Sequence, residues 1–170
     1  MSVQQRRDDV EDRAGAPPAI RDGVRRIDHV AIAVHDIDEA LRTYLAFGFT
    51  IVHDETLQQV GVRLVYLQPT NPADEGTMTC VQLVQAVGAG PVQEWVATRG
   101  EGIHHVCFAV DDLVRFTESL PGEESAAAFR GGRDRRACFL RSGAHGAIIE
   151  LTELEPFGAY APWTDSEDQR

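Results

Sequence analysis

The chain has 170 residues, room for one domain or two small modules. Apolar residues make up 43% of it, enough to build a core of ordinary size. The net charge of −11 argues against nucleic acid and against an anionic membrane surface, since both need a basic face; a small anionic ligand held by a few local arginines stays compatible.

Residues 1–25 mix charge, glycine and proline without periodicity and read as a flexible N-terminal arm. They contain no apolar stretch like that of a signal peptide, and no run along the chain is long and apolar enough to span a bilayer. Cys80, Cys107 and Cys138 are odd in number and sit in strand-like stretches, so they read as reduced thiols. These features together predict a cytoplasmic protein.

From residue 26 the chain repeats itself. "RIDHVAIAVHDIDEALRTYLAFGF" reads as a strand, a capped turn and an amphipathic helix with Ile37, Ala40, Leu41, Tyr44 and Leu45 on one face. Asp36 or Asp38 caps its start and Gly48 ends it. Three strand-like runs follow: "TIVHDE", "VRLVYLQ" and "TMTCVQLVQ". After a connector, residues 91–101, which reads as a short helix, the same order returns. "GIHHVCFAVDDLVRFTESLPG" gives a strand and a shorter helix, and "SAAAFR", "RACFLR" and "AIIELTE" give three strands. The expected fold class is therefore α+β, with two βαβββ modules, 26–90 and 102–154, pairing into one curved, cupped mixed sheet. Residues 155–170 read as a C-terminal tail.

Laying one module on the other selects four residues. "IDHVAI" falls on "IHHVCF", matching His29 with His105 and Asp28 with His104. "CVQLV" falls on "IIELT", matching Gln82 with Glu150. Side chains alternate along a strand, so only one of two adjacent histidines is expected to face the cup; the repeat assigns that place to His105 and the back of the sheet to His104. Two imidazoles, an amide and a carboxylate brought to one point by a pseudo-twofold suit a divalent ion such as Co, Zn, Mn or Ni. The absence of sulfur argues against structural zinc, and four protein ligands on a six-coordinate ion leave two positions for a chelating substrate. Taken singly, each of the four is more often a hydrogen-bonded structural residue; the symmetry across the repeat is what raises the metal reading.

The phrases "IDHVAIAVHDIDEAL", "GFTIVHDE", "QQVGVRLVYL", "VQLV", "WVATRGEGIHHVCFAVDD" and "GAIIELTE" resemble the vicinal oxygen chelate (glyoxalase/bleomycin-resistance) superfamily, and within it the methylmalonyl-CoA epimerases, over Arg26 to Glu153. The resemblance implies that His29, Gln82, His105 and Glu150 hold a metal. It implies an acyl thioester of coenzyme A or of a carrier protein as partner, a 2-alkylmalonyl group as substrate, chemistry through a stabilised enolate, and a homodimer. Glu150 would be a catalytic carboxylate. The epimerases carry a second carboxylate where this chain has Leu64, which cannot transfer a proton. Tyr66, two residues on and on the same strand face, is the expected acid in its place; it reads otherwise as a packed strand aromatic. His53 and Glu55 are weaker candidates. Leu64 keeps a second reading open, a relative retooled for decarboxylation, isomerisation or another enolate step. An extradiol-type dioxygenase and a non-enzymatic antibiotic-binding protein are further alternatives within the superfamily.

Two features sit beside this site. Cys80 and Cys107 share the ligand face by period two and read as small buried thiols. Arg130, Arg133, Arg135 and Arg136 in "FRGGRDRRACFL" fit either a cradle for the phosphates of a carrier arm or a solvated charge run.

Overall fold

A computed structural model of the protein describes residues 23–71, 79–122, 127–141 and 145–154. All of the expected C-terminal tail, and all of the expected arm but residues 23–25, lie outside them. The elements in chain order are β1 (Arg26–Val34), α1 (Ile37–Ala46), β2 (Phe49–Leu57), β3 (Val62–Pro69), β4 (Cys80–Ala86), α2 (Pro91–Arg99), β5 (Gly102–Val110), α3 (Leu113–Glu118), β6 (Phe129–Arg130), a 3-10 turn (Gly132–Asp134), β7 (Arg136–Phe139) and β8 (Ile149–Glu153).

The eight strands form one sheet in the order β2-β3-β4-β1-β5-β8-β7-β6. Strand β1 runs parallel to β4, and β5 runs parallel to β8. The two halves join where β1 and β5 pair antiparallel. The order reads the same from the middle outward in both directions, so the sheet is the curved mixed sheet expected from the repeat.

Local sequence explains the helices. Asp36 has extended backbone, and its carboxylate accepts from the N–H groups of Asp38 and Glu39, opening α1. Gly48, with φ +86°, takes the left-handed conformation just past the end of α1, where a β-carbon is disfavoured. Asp112 opens α3 in the same way by accepting from the Arg115 N–H. The repeat extends to a detail: Gln85 Oε1 accepts from the Ile37 N–H at 3.0 Å, and Glu153 Oε1 from the Leu113 N–H at 3.1 Å. Gln85 and Glu153 lie three residues after Gln82 and Glu150, so each β4-type strand places one polar group in the cup and another under its module's helix.

Helix α1 packs Ile37 and Leu41 against Val65, Leu67 and Leu83 on one face of the sheet. Helix α3 packs Leu113 and Phe116 against Cys138, Ile149 and Leu151 in the second module. Val62, Leu64, Tyr66 and Val84 alternate with the α1-facing residues and form a third apolar layer inside the cup. The second module is the slighter one, with a six-residue helix and a two-residue β6. Among the described residues no helix is long and apolar enough to cross a membrane.

Candidate metal centre and adjoining cavity

Register brings the four sequence-selected residues together. Across β1 and β5, Ala31 pairs with His105 and His29 with Cys107. The parallel neighbours place Gln82 beside Ala31 and Glu150 beside Cys107. His29 Nε2 lies 3.2 Å from His105 Nε2, and Glu150 Oε2 lies 3.2 Å from His29 Nε2 and 2.9 Å from His105 Nε2. All three residues are buried. Gln82 is buried too, and its Oε1 has no hydrogen-bond partner although it lines the same cavity as His105 and Glu150.

The protonation pattern of these groups fits a cation among them. Asp28 Oδ2 lies 2.9 Å from His29 Nδ1. Burial opposes the charge on Asp28, but its bond to His29 and the field of Arg133 and Arg26 hold the carboxyl far below its usual range. An ionised carboxylate only accepts, so Nδ1 of His29 carries a proton and Nε2 of the neutral ring presents its lone pair inward. Glu150 is likewise held ionised: burial works against its charge, and His105 and His29 outweigh burial. Lone pairs on two nitrogens and a carboxylate oxygen at about 3 Å repel unless a proton or a cation lies among them. Separations of that size are what adjacent ligands need around an ion with bonds of about 2.1 Å. The orphaned Gln82 oxygen adds a fourth donor with no other use. Without an ion, a proton serves: burial lowers the pKa of His29, but Asp28 and Glu150 overcome this and raise it.

The expectation that His104 lies on the back of the sheet is overturned. Pairing between β1 and β5 skips His104 between Ile103 and His105, and skips Asp28 between Ile27 and His29. Each skipped residue is a β-bulge, which breaks the alternation and re-aims the side chain. His104 lines the cavity with His105, its Nδ1 lies 2.8 Å from His105 Nδ1, and its ring packs 4.8 Å from Trp95. Burial and the neighbouring His105 push its pKa down to about 4, so it is neutral at physiological pH. Asp28 and His104 match in the repeat, and both bond the outer nitrogen of the histidine that follows.

The arginine loop takes neither expected role at two of its positions. Arg133 and Arg135 both turn inward onto Asp28, which Arg26 also contacts at 3.0 Å. Arg130 pairs with Asp134. The turn that delivers Arg133 has two non-glycine residues in the left-handed region, Arg133 (φ 58°) and Asp134 (φ 56°), a strained arrangement fixed by these contacts. Sequence reasoning missed the Asp28 hub because alternation sends Asp28 outward; its match with His104 at the repeat position was the available signal.

Tyr66 is fully buried, with its ring 5.4 Å from that of His29 and the Arg133 guanidinium 4.2 Å above it. Burial pushes the phenol pKa far up against the pull of Arg133, so it stays protonated. Glu55, directly across from Leu64 in the β2–β3 register, accepts from the Arg133 N–H at 2.6 Å and lies 3.1 Å from His53 Nε2. All three cysteines are free and buried. Cys107 converges with Asp28 and His29, but burial, Glu150 and Asp28 raise its pKa well above normal, so it stays a thiol.

A cavity of about 690 Å³ opens from Gln82, His105 and Glu150, with Leu64, Val84, Phe129 and Phe139 among its walls. A cavity floored by side chains that could hold an ion, inside a cupped sheet of paired βαβββ repeats, is the architecture to set beside known proteins. Residues 28–139 match the glyoxalase/bleomycin resistance protein/dioxygenase superfamily, and the chain belongs to it. It is similar to the ethylmalonyl-CoA/methylmalonyl-CoA epimerase of Cereibacter sphaeroides, 27% identical over 137 residues covering 79% of this chain and 92% of that one. Among solved structures it resembles a variant of the Streptomyces coelicolor methylmalonyl-CoA epimerase in complex with 2-nitronate-propionyl-CoA, at 30% identity and TM-score 0.66 over 77% of this chain and 98% of that one. The methylmalonyl-CoA epimerase of Mycobacterium tuberculosis is similar at 29% identity and TM-score 0.70, covering 85% of this chain and 97% of that one.

Proposed function

We propose that the protein is a metal-dependent, epimerase-like enzyme that labilises the proton on the α-carbon of a 2-alkylmalonyl or related acyl thioester. The convergence of His29 Nε2, His105 Nε2 and Glu150 Oε2 within 3.2 Å of one another, beside the unpartnered Gln82 oxygen, carries this reading. In it, His29, Gln82, His105 and Glu150 hold a divalent ion, whose identity among Co, Zn, Mn and Ni the residue types leave open. When bound, the ion supplies Lewis acidity to the carbonyl and carboxylate oxygens of the substrate.

The protein's own groups do the rest. Asp28 holds His29 by its outer nitrogen and His104 holds His105 in the same way, so neither ring turns away from the centre. Glu150, kept ionised, is the carboxylate assigned to take the α-proton. Tyr66, kept protonated by burial behind the cavity wall, is assigned as a proton donor that acts through water rather than as a base. The apolar wall of the cavity beside these groups, Leu64 and Val84 among it, limits water at the carbanionic state.

Leu64 in that wall favours a second reading on the same activation, an enolate step that needs one proton-transfer group instead of two, such as decarboxylation. The deciding experiment incubates cobalt-loaded protein with methylmalonyl-CoA in deuterium oxide. Exchange of the α-proton, lost about 100-fold or more in Glu150→Gln, supports the epimerase-like reading. Carbon dioxide release without exchange into recovered substrate selects the second, and neither event overturns both.

A further inference from the structure

The cavity carries more information than the centre at its floor. Its volume is about 690 Å³, and among its described wall residues only Arg130 and Glu150 bear charge. Arg130 is already paired with Asp134. Leu64 and Val84 come from adjacent strands and face the floor from one side. Phe129 and Phe139 close the other, stacked at 5.6 Å with 22° between their planes. The Phe139 ring stands 5.3 Å from that of His105 and yet keeps 39% of its surface exposed. An open aromatic beside converging polar atoms, in the wall of a cavity, offers apolar surface to a ligand. Gln82, 3% exposed with its Oε1 unpartnered, lies in the same cavity and belongs to the centre that would anchor the ligand's polar end.

We infer that the cavity seats an apolar substituent on the substrate's α-carbon, so that the preferred substrate class is a malonyl-type acid carrying a branched alkyl or aryl group larger than methyl. The inference rests on the metal-centre reading for the anchoring of the two oxygens. The substituent lies between Leu64 and Val84 on one side and the Phe129–Phe139 stack on the other. In that position the leucine that replaces an acid becomes a specificity residue.

The test separates binding from turnover. The full chain, loaded with cobalt, is titrated calorimetrically with free methyl-, ethyl-, butyl- and benzylmalonate. Affinity should rise about fourfold per added methylene from methyl to butyl, as it does for carbon moved from water into an apolar site. Phe139→Ala, at a half-open position and with folding checked by circular dichroism, should bind cobalt as before and lose most of the benzyl advantage, about tenfold. A flat series, or an unchanged series in Phe139→Ala, overturns the inference. So does a parallel titration with malonate S-alkyl monothioesters, unsubstituted at the α-carbon, whose affinity grows as steeply with the S-alkyl chain, which would give the cavity to the carrier arm. A flat series with proton exchange on methylmalonyl-CoA sinks this inference and leaves the epimerase-like reading standing. A steep series with no exchange on any thioester does the reverse.

Discussion

Asp28 is the carboxylate that anchors the site from behind, and it is not one of the groups proposed to hold the ion. It is 1% exposed and takes a bond from His29 Nδ1 together with contacts from Arg26, Arg133 and Arg135. A buried carboxylate so surrounded cannot swing away, and its charge keeps the proton on Nδ1 and the basicity on Nε2 of His29. Asp28→Asn is nearly isosteric but removes the charge, and its amide can present an N–H to Nδ1 and so favour the wrong tautomer. The expected result is a loss of cobalt affinity of about 10- to 100-fold, measured by competition with a chromophoric chelator. Folding by circular dichroism should persist. Unchanged affinity would mean that Asp28 serves the arginines alone.

At the scale of elements, two β-bulges and one strained turn account for what the sequence does and does not disclose. The order of elements along each module, the cap of its helix and the cup were legible because the module is written twice, and His29, Gln82, His105 and Glu150 were selected because each matched pair, His29 with His105 and Gln82 with Glu150, occupies the same place in both copies. His104 was read to the wrong side, and Asp28 was not singled out, because period two holds only while a strand is regular, and a bulge leaves no periodic trace. The inward turn of Arg133 was hidden for another reason: it depends on contacts between β1 and the 132–134 turn, more than 100 residues apart. Gly132 shows how closely that turn is fitted. A β-carbon there would lie 2.1 Å from Tyr66 Oη, 3.0 Å from Leu64 Cδ1 and 3.1 Å from Glu55 Oε1. Tyr66 has no room to retreat, being fully buried beneath Arg133. Gly132→Ala should therefore overpack the site and lower stability by about 1–3 kcal/mol in urea denaturation. A neutral result would show that the turn lifts without cost.

For the whole molecule, the centre couples folding to pH, with a sign that depends on the ion. His29 has a folded pKa above 6.5, because its bonds to Asp28 and Glu150 outweigh the burial that opposes its charge. Its contribution to stability is complete below 6.5 and is lost as pH rises through the raised value. Asp28 and Glu150 have folded pKa values below 3.8 and 4.5 despite burial, so their contributions are complete above those values and vanish as pH falls through the depressed ones. In metal-free protein the three overlap between pH 4.5 and 6.5, and that is where these groups stabilise the fold most. Above this window the proton leaves His29 and the lone pairs at about 3 Å face one another unscreened. A divalent ion takes the proton's place, so its affinity rises over the same interval in which the metal-free form weakens. Thermal melts with chelator should give a Tm that declines from pH 6 to pH 8.5. Melts with saturating cobalt should not, and the gap between the two curves should widen with pH. His29→Gln removes the titrating group and should abolish both the decline and the widening. A metal-free Tm that climbs across this range in the unaltered chain would contradict the assignment of His29 as the proton-bearing member of the centre.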